Sequence, residues 1–90
     1  MKIIGLSQDD KNALKVPLEN VPPGQVTIKD IRTIDRICRA IEESPDGEIE
    51  METADMDYLK GKWREFTSWN PSNPQVRTRV IALSDKLGLQ

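Results

Sequence analysis

The segment from Val26 to Glu43 constrains the fold more than any other part of this sequence, because its apolar residues recur at helical spacing. These residues are three or four positions apart or adjacent, and most are isoleucine: Ile28, Ile31, Ile34, Ile37, Cys38 and Ile41. The spacing predicts an amphipathic helix. Thr27 is a suitable N-cap, and Asp30 can complete a capping box with it. Since β-branched residues disfavour helices, packing has to stabilise this one, so we expect it at the centre of the core.

A strand and two further helices are predicted after this helix. The turn-forming stretch Ser44–Gly47 precedes a strict alternation at Glu48–Glu52, which is typical of a half-buried strand. Thr53 then caps a second helix, whose apolar stripe is Met56, Leu59, Trp63 and Phe66. The stretch Ser68–Pro74 interrupts it, and Asn73 with Pro74 begins a third helix. The stripe of this last helix is Val76, Val80, Leu83 and Leu87, and Gly88 is a suitable residue to end it.

The first 25 residues show no helical period. We expect Lys2–Leu6 to be extended, and Leu14–Leu18 alternates as a short edge strand would, since Pro17 fits a sheet only at its edge. The stretch Val21–Gly24 stops any regular element. A chain of 90 residues forms one domain. The prediction is therefore a mainly helical α+β domain, with three helices packed on a short two-stranded β element. Residues 1–25 form an irregular arm with one or two short strands, and residues 26–90 form a helix-strand-helix-helix core.

The composition argues against an enzyme. The chain has no histidine and one cysteine, which removes the usual general base, an internal disulfide and any multi-cysteine metal site. Cys38 lies on an apolar helix face, where a free thiol behaves as a small hydrophobe. We therefore expect no catalytic residues, no cofactor and no bound metal. No apolar run is long enough to cross a membrane. The net charge of -2 gives little non-specific attraction to nucleic acid, which is disfavoured as a partner.

A row of cations on the first predicted helix is the first candidate for partner binding. We call this row the basic stripe; it consists of Lys29, Arg32, Arg36 and Arg39. It is suited to an acidic partner or to phosphate groups. The alternative is a solvated helix face, or one that meets the acidic segment of the same chain, Glu42–Asp57, which has eight acids and no base.

Small residues on the second predicted helix are the next candidate. Ala54, Gly61 and Ser68 are seven positions apart and project in nearly the same direction, away from the apolar stripe. Another helix or strand of a partner can approach closely there, with Tyr58 beside it as an anchor. A shorter helix, contact with the N-terminal arm or chance explain the same spacing.

Trp69 and the two last helices leave further alternatives open. Trp69 either closes the core below Trp63 or stands at the surface as a binding hot spot; we favour the core, because a small domain needs its few aromatic residues inside. The helix pair also suggests a DNA-binding helix-turn-helix, but its connector is long. Arg77 and Arg79 also point about 200° apart around the last helix.

The layout resembles a loose set of small phage and prophage proteins. Three stretches between about Leu14 and Leu87 carry the likeness: Leu14–Leu18, the helix VTIKDIRTIDRICRAIEE, and the acidic strand and helix EIEMETADMDYLKGKWREF, followed by a short final helix. The resemblance implies a role in assembly or host interaction and a cytoplasmic location, in the host cell or, for a phage-encoded protein, in the virion. It supplies no catalytic residues. Our prediction is a non-catalytic module that binds a protein partner or a second copy of itself; the alternative is a small DNA-binding or regulatory protein that uses the last two helices.

Overall fold

Four helices and a two-stranded sheet make up the computed structural model, which describes residues 1–21 and 24–89. In chain order the elements are β1 (Lys2–Ile4), α1 (Gln8–Glu19), α2 (Ile28–Glu43), β2 (Glu48–Glu50), α3 (Thr53–Glu65) and α4 (Pro74–Lys86). The mainly helical α+β class is confirmed, whereas the prediction of three helices omitted α1. The predicted stop at Val21–Gly24 includes Pro22 and Pro23, which lie outside the described residues, as does Gln90.

Helix α1 is the main correction to the predicted fold, because Leu14–Leu18 is helical and not a strand. Ser7 Oγ accepts a hydrogen bond from the Asp10 backbone N–H (3.1 Å), and the Asp10 carboxylate accepts one from the Ser7 N–H (3.0 Å). This capping box begins the helix. Pro17 lies in the last turn, where its missing N–H removes one hydrogen bond without breaking the helix. The irregular arm predicted for residues 1–25 is therefore wrong over the length of α1.

Helix α2 has the predicted capping box but only part of the predicted buried face. Thr27 Oγ1 accepts from the Asp30 N–H and the Asp30 carboxylate accepts from the Thr27 N–H, each at 3.1 Å. Ile37 is fully buried, yet Ile28 is 73% exposed and Ile31 56% exposed. The reason is geometrical: each step of three residues falls about 60° short of a full turn, so Ile28 lies about 180° from Ile37.

The sheet is a single antiparallel pair in which Ile3 faces Ile49, with Lys2 opposite Glu50 and Ile4 opposite Glu48. The predicted extended segment at the N-terminus and the predicted acidic strand are both confirmed, each in a shorter form. Ile49 is fully buried, and the Lys2 ammonium lies 3.2 Å from the Glu48 carboxylate on the other face. The sheet therefore covers the core with one side and presents charge on the other.

α4 begins at the predicted residue, whereas both ends of α3 differ from the prediction. α3 begins at Thr53, after an N-cap at Glu52 whose side chain makes no capping bond, so Thr53 is not the cap. It ends at Glu65, before Ser68, where we predicted that the interruption begins. α4 begins as predicted: Asn73 Oδ1 accepts from the backbone N–H of Gln75 (2.9 Å), and Pro74 is the first helical residue.

The core takes buried apolar residues from every helix and from β2, together with the segments flanking the strands. They are Leu6, Leu14, Leu18, Ile37, Ile41, Ile49, Met51, Met56, Leu59, Trp63, Leu83 and Leu87. Two lysines fasten the N-terminal part to this core. Lys11 is 3% exposed and donates to the carbonyls of Ser44 (3.2 Å) and Pro45 (2.9 Å), while Lys86 donates to the carbonyls of Ile4 and Gly5. The Lys11 contacts hold α1 against the end of α2, and the Lys86 contacts hold the end of β1 against α4.

Candidate functional site

The basic stripe of α2 lies on the surface, but two of its four cations are held by the chain's own acids. Lys29, Arg32, Arg36 and Arg39 are all exposed. Arg36 donates from Nε to Asp55 Oδ2 (2.8 Å) and from Nη2 to Asp55 Oδ1 (2.6 Å), which is a bidentate pair. Arg39 Nε lies 3.0 Å from Asp35 Oδ2. The Arg36–Asp55 pair agrees with the alternative in which the stripe meets the chain's own acidic segment, whereas the partner of Arg39, Asp35, precedes that segment.

The Arg36–Asp55 pair joins α2 to α3. Asp55 is 5% exposed, whereas the Arg36 side chain is 59% exposed. The hydrogen bonds from Arg36 hold the pKa of Asp55 below its usual value, against the effect of burial, and those same bonds raise the pKa of Arg36. Among residues 1–21 and 24–89, Lys29 and Arg32 form no ion pair. Only this end of the stripe is therefore available to an acidic partner.

The row of small residues is shorter than predicted. Ala54 and Ser68 are exposed and Gly61 is half-buried, but Ser68 follows the end of α3 and does not share its face. A Cβ atom at Gly61 meets no atom within 4 Å in the described part of the chain, so no close approach there requires glycine. The row consequently agrees with the shorter-helix alternative.

Tyr58 belongs to the packing between α3 and the first turn of α2. Its hydroxyl is buried and has no hydrogen-bond partner in the described chain. Burial and the nearby Asp30 carboxylate raise the pKa of Tyr58, and Lys62 Nζ lies 5.4 Å from its ring centroid. The residue packs within the chain and is poorly placed to anchor a partner.

Trp69 combines the two roles that the sequence left open. Its ring centroid lies 4.8 Å from that of Trp63 and 4.6 Å from that of Phe66, so one part of the ring continues the core. Trp69 remains half-buried, and it lines a depression whose walls are mainly apolar. It is therefore the predicted site residue best placed to contact a partner.

A groove runs along one side of α1, and we call it the α1 groove. Its larger part has a volume of about 390 Å³ and lies between α1, α4 and the connector that joins α3 to α4. The apolar walls of this part are Ala13, Val16, Phe66, Trp69, Val76 and Val80. A second, more polar part of about 260 Å³ adjoins it at Phe66 and Ser68 and continues past Pro17 to Asn20.

The connector that forms one wall of the α1 groove has backbone groups without partners. From Phe66 to Asn70 the chain runs with no turn or bend. Within the described chain, the N–H and C=O groups of Thr67, Ser68 and Trp69 take part in no hydrogen bond. Thr67 and Ser68 are exposed. The groove thus combines apolar walls with a short row of free backbone donors and acceptors.

The ends of the α1 groove differ in charge. At one end Arg79 lies 3.5 Å from Asp10 and 4.0 Å from Asp9, whose side chain is 74% exposed, so two acids share one cation. At the other end Lys62 and Glu65 lie 3.8 Å apart and balance each other. The end beside Asp9 therefore carries the surplus of negative charge.

The cations of α4 are engaged with other parts of the chain. Arg77 donates to the Pro71 carbonyl at 2.8 Å, and Arg79 lies against Asp9 and Asp10. Lys86 donates to backbone carbonyls beside β1. A nucleic acid that approached α4 would compete with these contacts for each cation.

Three further features of the described residues concern metal binding, thiol reactivity and membrane insertion. These residues contain no group of three or more acidic or cysteine side chains that could hold a metal ion. Burial raises the pKa of the half-buried Cys38 thiol, and Glu19 and Glu42 add to this effect. None of the described helices has both the length and the apolar character needed to span a bilayer.

Comparison with known proteins adds no relative. No protein-family model matches the sequence, and neither a curated protein nor a solved structure shows significant similarity to it. The site must therefore be inferred from its geometry. The sequence pointed to Trp69 and Ser68, but not to the groove they line. The opposite wall is α1, for which we predicted an irregular arm with a short strand at Leu14–Leu18.

Proposed function

We propose that this chain is a non-catalytic protein-interaction module that binds its partner in the α1 groove. The observation that carries this proposal is the groove itself, in which apolar walls lie beside the unpaired backbone of Thr67–Trp69. Concave apolar surfaces with a few polar groups are the usual form of binding sites. An exposed aromatic residue such as Trp69 is a frequent anchor at protein interfaces.

The absence of activating groups supports a non-catalytic role. The chain has no histidine, and the pKa of its only thiol is raised, whereas a reactive cysteine needs a lowered pKa. The α1 groove contains carboxylates only at its ends, where they pair with Arg79 or Lys62.

A protein partner is favoured over nucleic acid. Binding to a phosphate backbone depends on free lysine and arginine side chains. In α4, which the DNA-binding alternative requires, Arg77, Arg79 and Lys86 all contact other parts of the chain. The net charge of -2 adds no general attraction.

The resemblance to small phage and prophage proteins suggests where the partner is found. We place the module in the host-cell cytoplasm or the virion, with a structural protein of the phage or a host protein as its partner. A second copy of the chain is the other occupant to test.

A pair of substitutions on α4 tests the proposal. Val76→Asp places a charge in an apolar wall of the α1 groove, whereas Ile81→Asp places the same charge at a residue that is 62% exposed outside it. We expect Val76→Asp to reduce recovery of the protein partner from host lysate at least tenfold, and Ile81→Asp to leave it unchanged, with both variants folded. Equal recovery with both variants contradicts the groove as the binding site. Tight DNA binding that falls steeply with salt supports the alternative function.

A further inference from the structure

The length of the α1 groove sets the size of what it can hold. The residues of α1 that line it run from Asp9 to Asn20. At 1.5 Å per residue this distance is about 17 Å. An extended chain rises about 3.3 Å per residue, so about five extended residues match it.

The free backbone of the connector favours an extended occupant. Thr67, Ser68 and Trp69 lie in a segment without turn or bend, and their N–H and C=O groups have no partner in the described chain. Such a row of unpaired groups is what the edge of a sheet offers to an added strand. A helical occupant satisfies its own backbone internally and leaves these groups unused.

The walls determine which side chains the occupant carries. In an extended peptide, alternate side chains point to the same side. The wall formed by α1 is apolar at Ala13 and Val16, and the wall formed by α4 is apolar at Val76 and Val80. Apolar residues at alternate positions therefore enter the larger part of the groove, and polar residues between them face water.

Charge sets the direction in which the peptide lies. Asp9 and Asp10 share the single cation Arg79, and the Asp9 side chain is 74% exposed. The far end, where Lys62 pairs with Glu65, is balanced. A lysine or arginine of the occupant is therefore complementary to the Asp9 end of the groove only.

We propose that the partner of the α1 groove is an extended protein segment of about five residues, with alternating apolar side chains and one basic residue beside Asp9. Its backbone pairs with the N–H and C=O groups on one side of the Thr67–Trp69 segment. This inference rests on the proposed function, because it specifies what the interaction module recognises at the same site.

Matched synthetic peptides and an isotope-labelled sample of the whole chain test the inference. The probe is a blocked hexapeptide, Lys-Val-Thr-Val-Thr-Val, and a second copy carries N-methyl groups on the backbone nitrogens of its threonines. We expect the first to shift the NMR amide signals of the Thr67–Trp69 segment. The second is expected to bind at least tenfold more weakly, since its two threonines lack the N–H donors that face the connector. Equal binding of the two peptides, binding at another surface or no binding at millimolar concentration overturns the extended-segment inference.

A charge-reversal pair tests the orientation. Asp9→Lys is expected to weaken binding of the lysine peptide two- to fivefold and to strengthen a matched glutamate peptide by a similar factor, the range of an exposed ion pair. Asp9→Asn serves as a second variant if Asp9→Lys alters folding. Unchanged preference in both variants overturns the assigned orientation.

The two proposals fail in different ways. If Val76→Asp abolishes partner binding while the peptides do not bind, the interaction module stands and the extended segment is wrong. If Val76→Asp has no effect on partner recovery, the proposed site itself is wrong. A dimer that forms with concentration and is broken by Val76→Asp identifies a second copy as the occupant and also overturns the extended-segment inference.

Discussion

Neutralising Asp55 is the most informative perturbation of the fold, because the carboxylate is 5% exposed and accepts two charge-assisted hydrogen bonds from Arg36. Asp55→Asn keeps the shape and one acceptor but loses the charge and one strong bond. We expect a loss of about 2 kcal/mol in the free energy of unfolding, which is within the range for hydrogen bonds to charged groups. For a domain of this size that lowers Tm by about 8–16 °C.

The control for Asp55→Asn is the exposed pair formed by Arg39 and Asp35, with side chains 68% and 62% exposed. Arg39→Gln is expected to cost less than about 0.5 kcal/mol, because surface pairs contribute little. Chemical denaturation of both variants measures the difference. If Asp55→Asn is no more destabilising than Arg39→Gln, the pair does not join α2 to α3 as we infer.

The effect of Asp55→Asn on the free energy of unfolding is expected to depend on pH. The folded-state pKa of Asp55 lies below its unfolded value of about 3.9, so the pair contributes stability above that pH and loses it as the pH falls through the folded-state pKa. The stability difference between the wild type and Asp55→Asn is therefore constant from pH 7 to 5 and shrinks below about pH 4. Denaturation curves across this range measure it, and a difference that persists below the folded-state pKa contradicts the assignment.

Four further substitutions test individual contacts by thermal and chemical unfolding. Gly61→Ala is expected to stabilise the chain by up to about 1 kcal/mol, because a Cβ there meets no neighbour within 4 Å in the described residues; destabilisation contradicts the open space. Ile28→Ser is expected to change stability by less than about 0.5 kcal/mol, whereas Ile37→Ala costs about 2–5 kcal/mol; similar losses refute the opposed placement of the two residues. Lys11→Met keeps the aliphatic stem but removes the donor to the carbonyls of Ser44 and Pro45, of which only Pro45 keeps another donor, the Glu48 N–H. We expect a loss of about 1–3 kcal/mol; a stabilised variant contradicts the contribution of these hydrogen bonds.

The sequence predicts elements well where a cap and a long period agree. The Thr27 capping box and the Asn73–Pro74 start of the last helix are both local signals, and both are confirmed. The strict alternation around Ile49 also gave the strand. The local pattern was enough to locate each of these elements, although β2 forms only by pairing with β1 and α2 depends on packing.

Prediction was less successful where the decisive contact is distant or the signal short. Five residues at Leu14–Leu18 fit a strand as well as a helix, and the Ser7 capping box lay outside the segment considered. The exposed position of Ile28 follows from helix rotation and was available from the spacing. The α1 groove could not be predicted from the spacing, because it forms only when α1 packs beside the connector near Trp69.

Amide hydrogen exchange at Thr67, Ser68 and Trp69, with and without the bound partner, tests the central claim most directly. In the free chain these amides have no hydrogen-bond acceptor among the described residues, so we expect rapid exchange there and slow exchange at Leu14 and Leu18 in α1. On binding, we expect exchange to slow at least tenfold at the connector amides that face the peptide. These are either Thr67 and Trp69 or Ser68, because successive N–H groups of an extended segment point to opposite sides. Unchanged exchange at the connector, with new protection confined to the basic stripe of α2, contradicts the account.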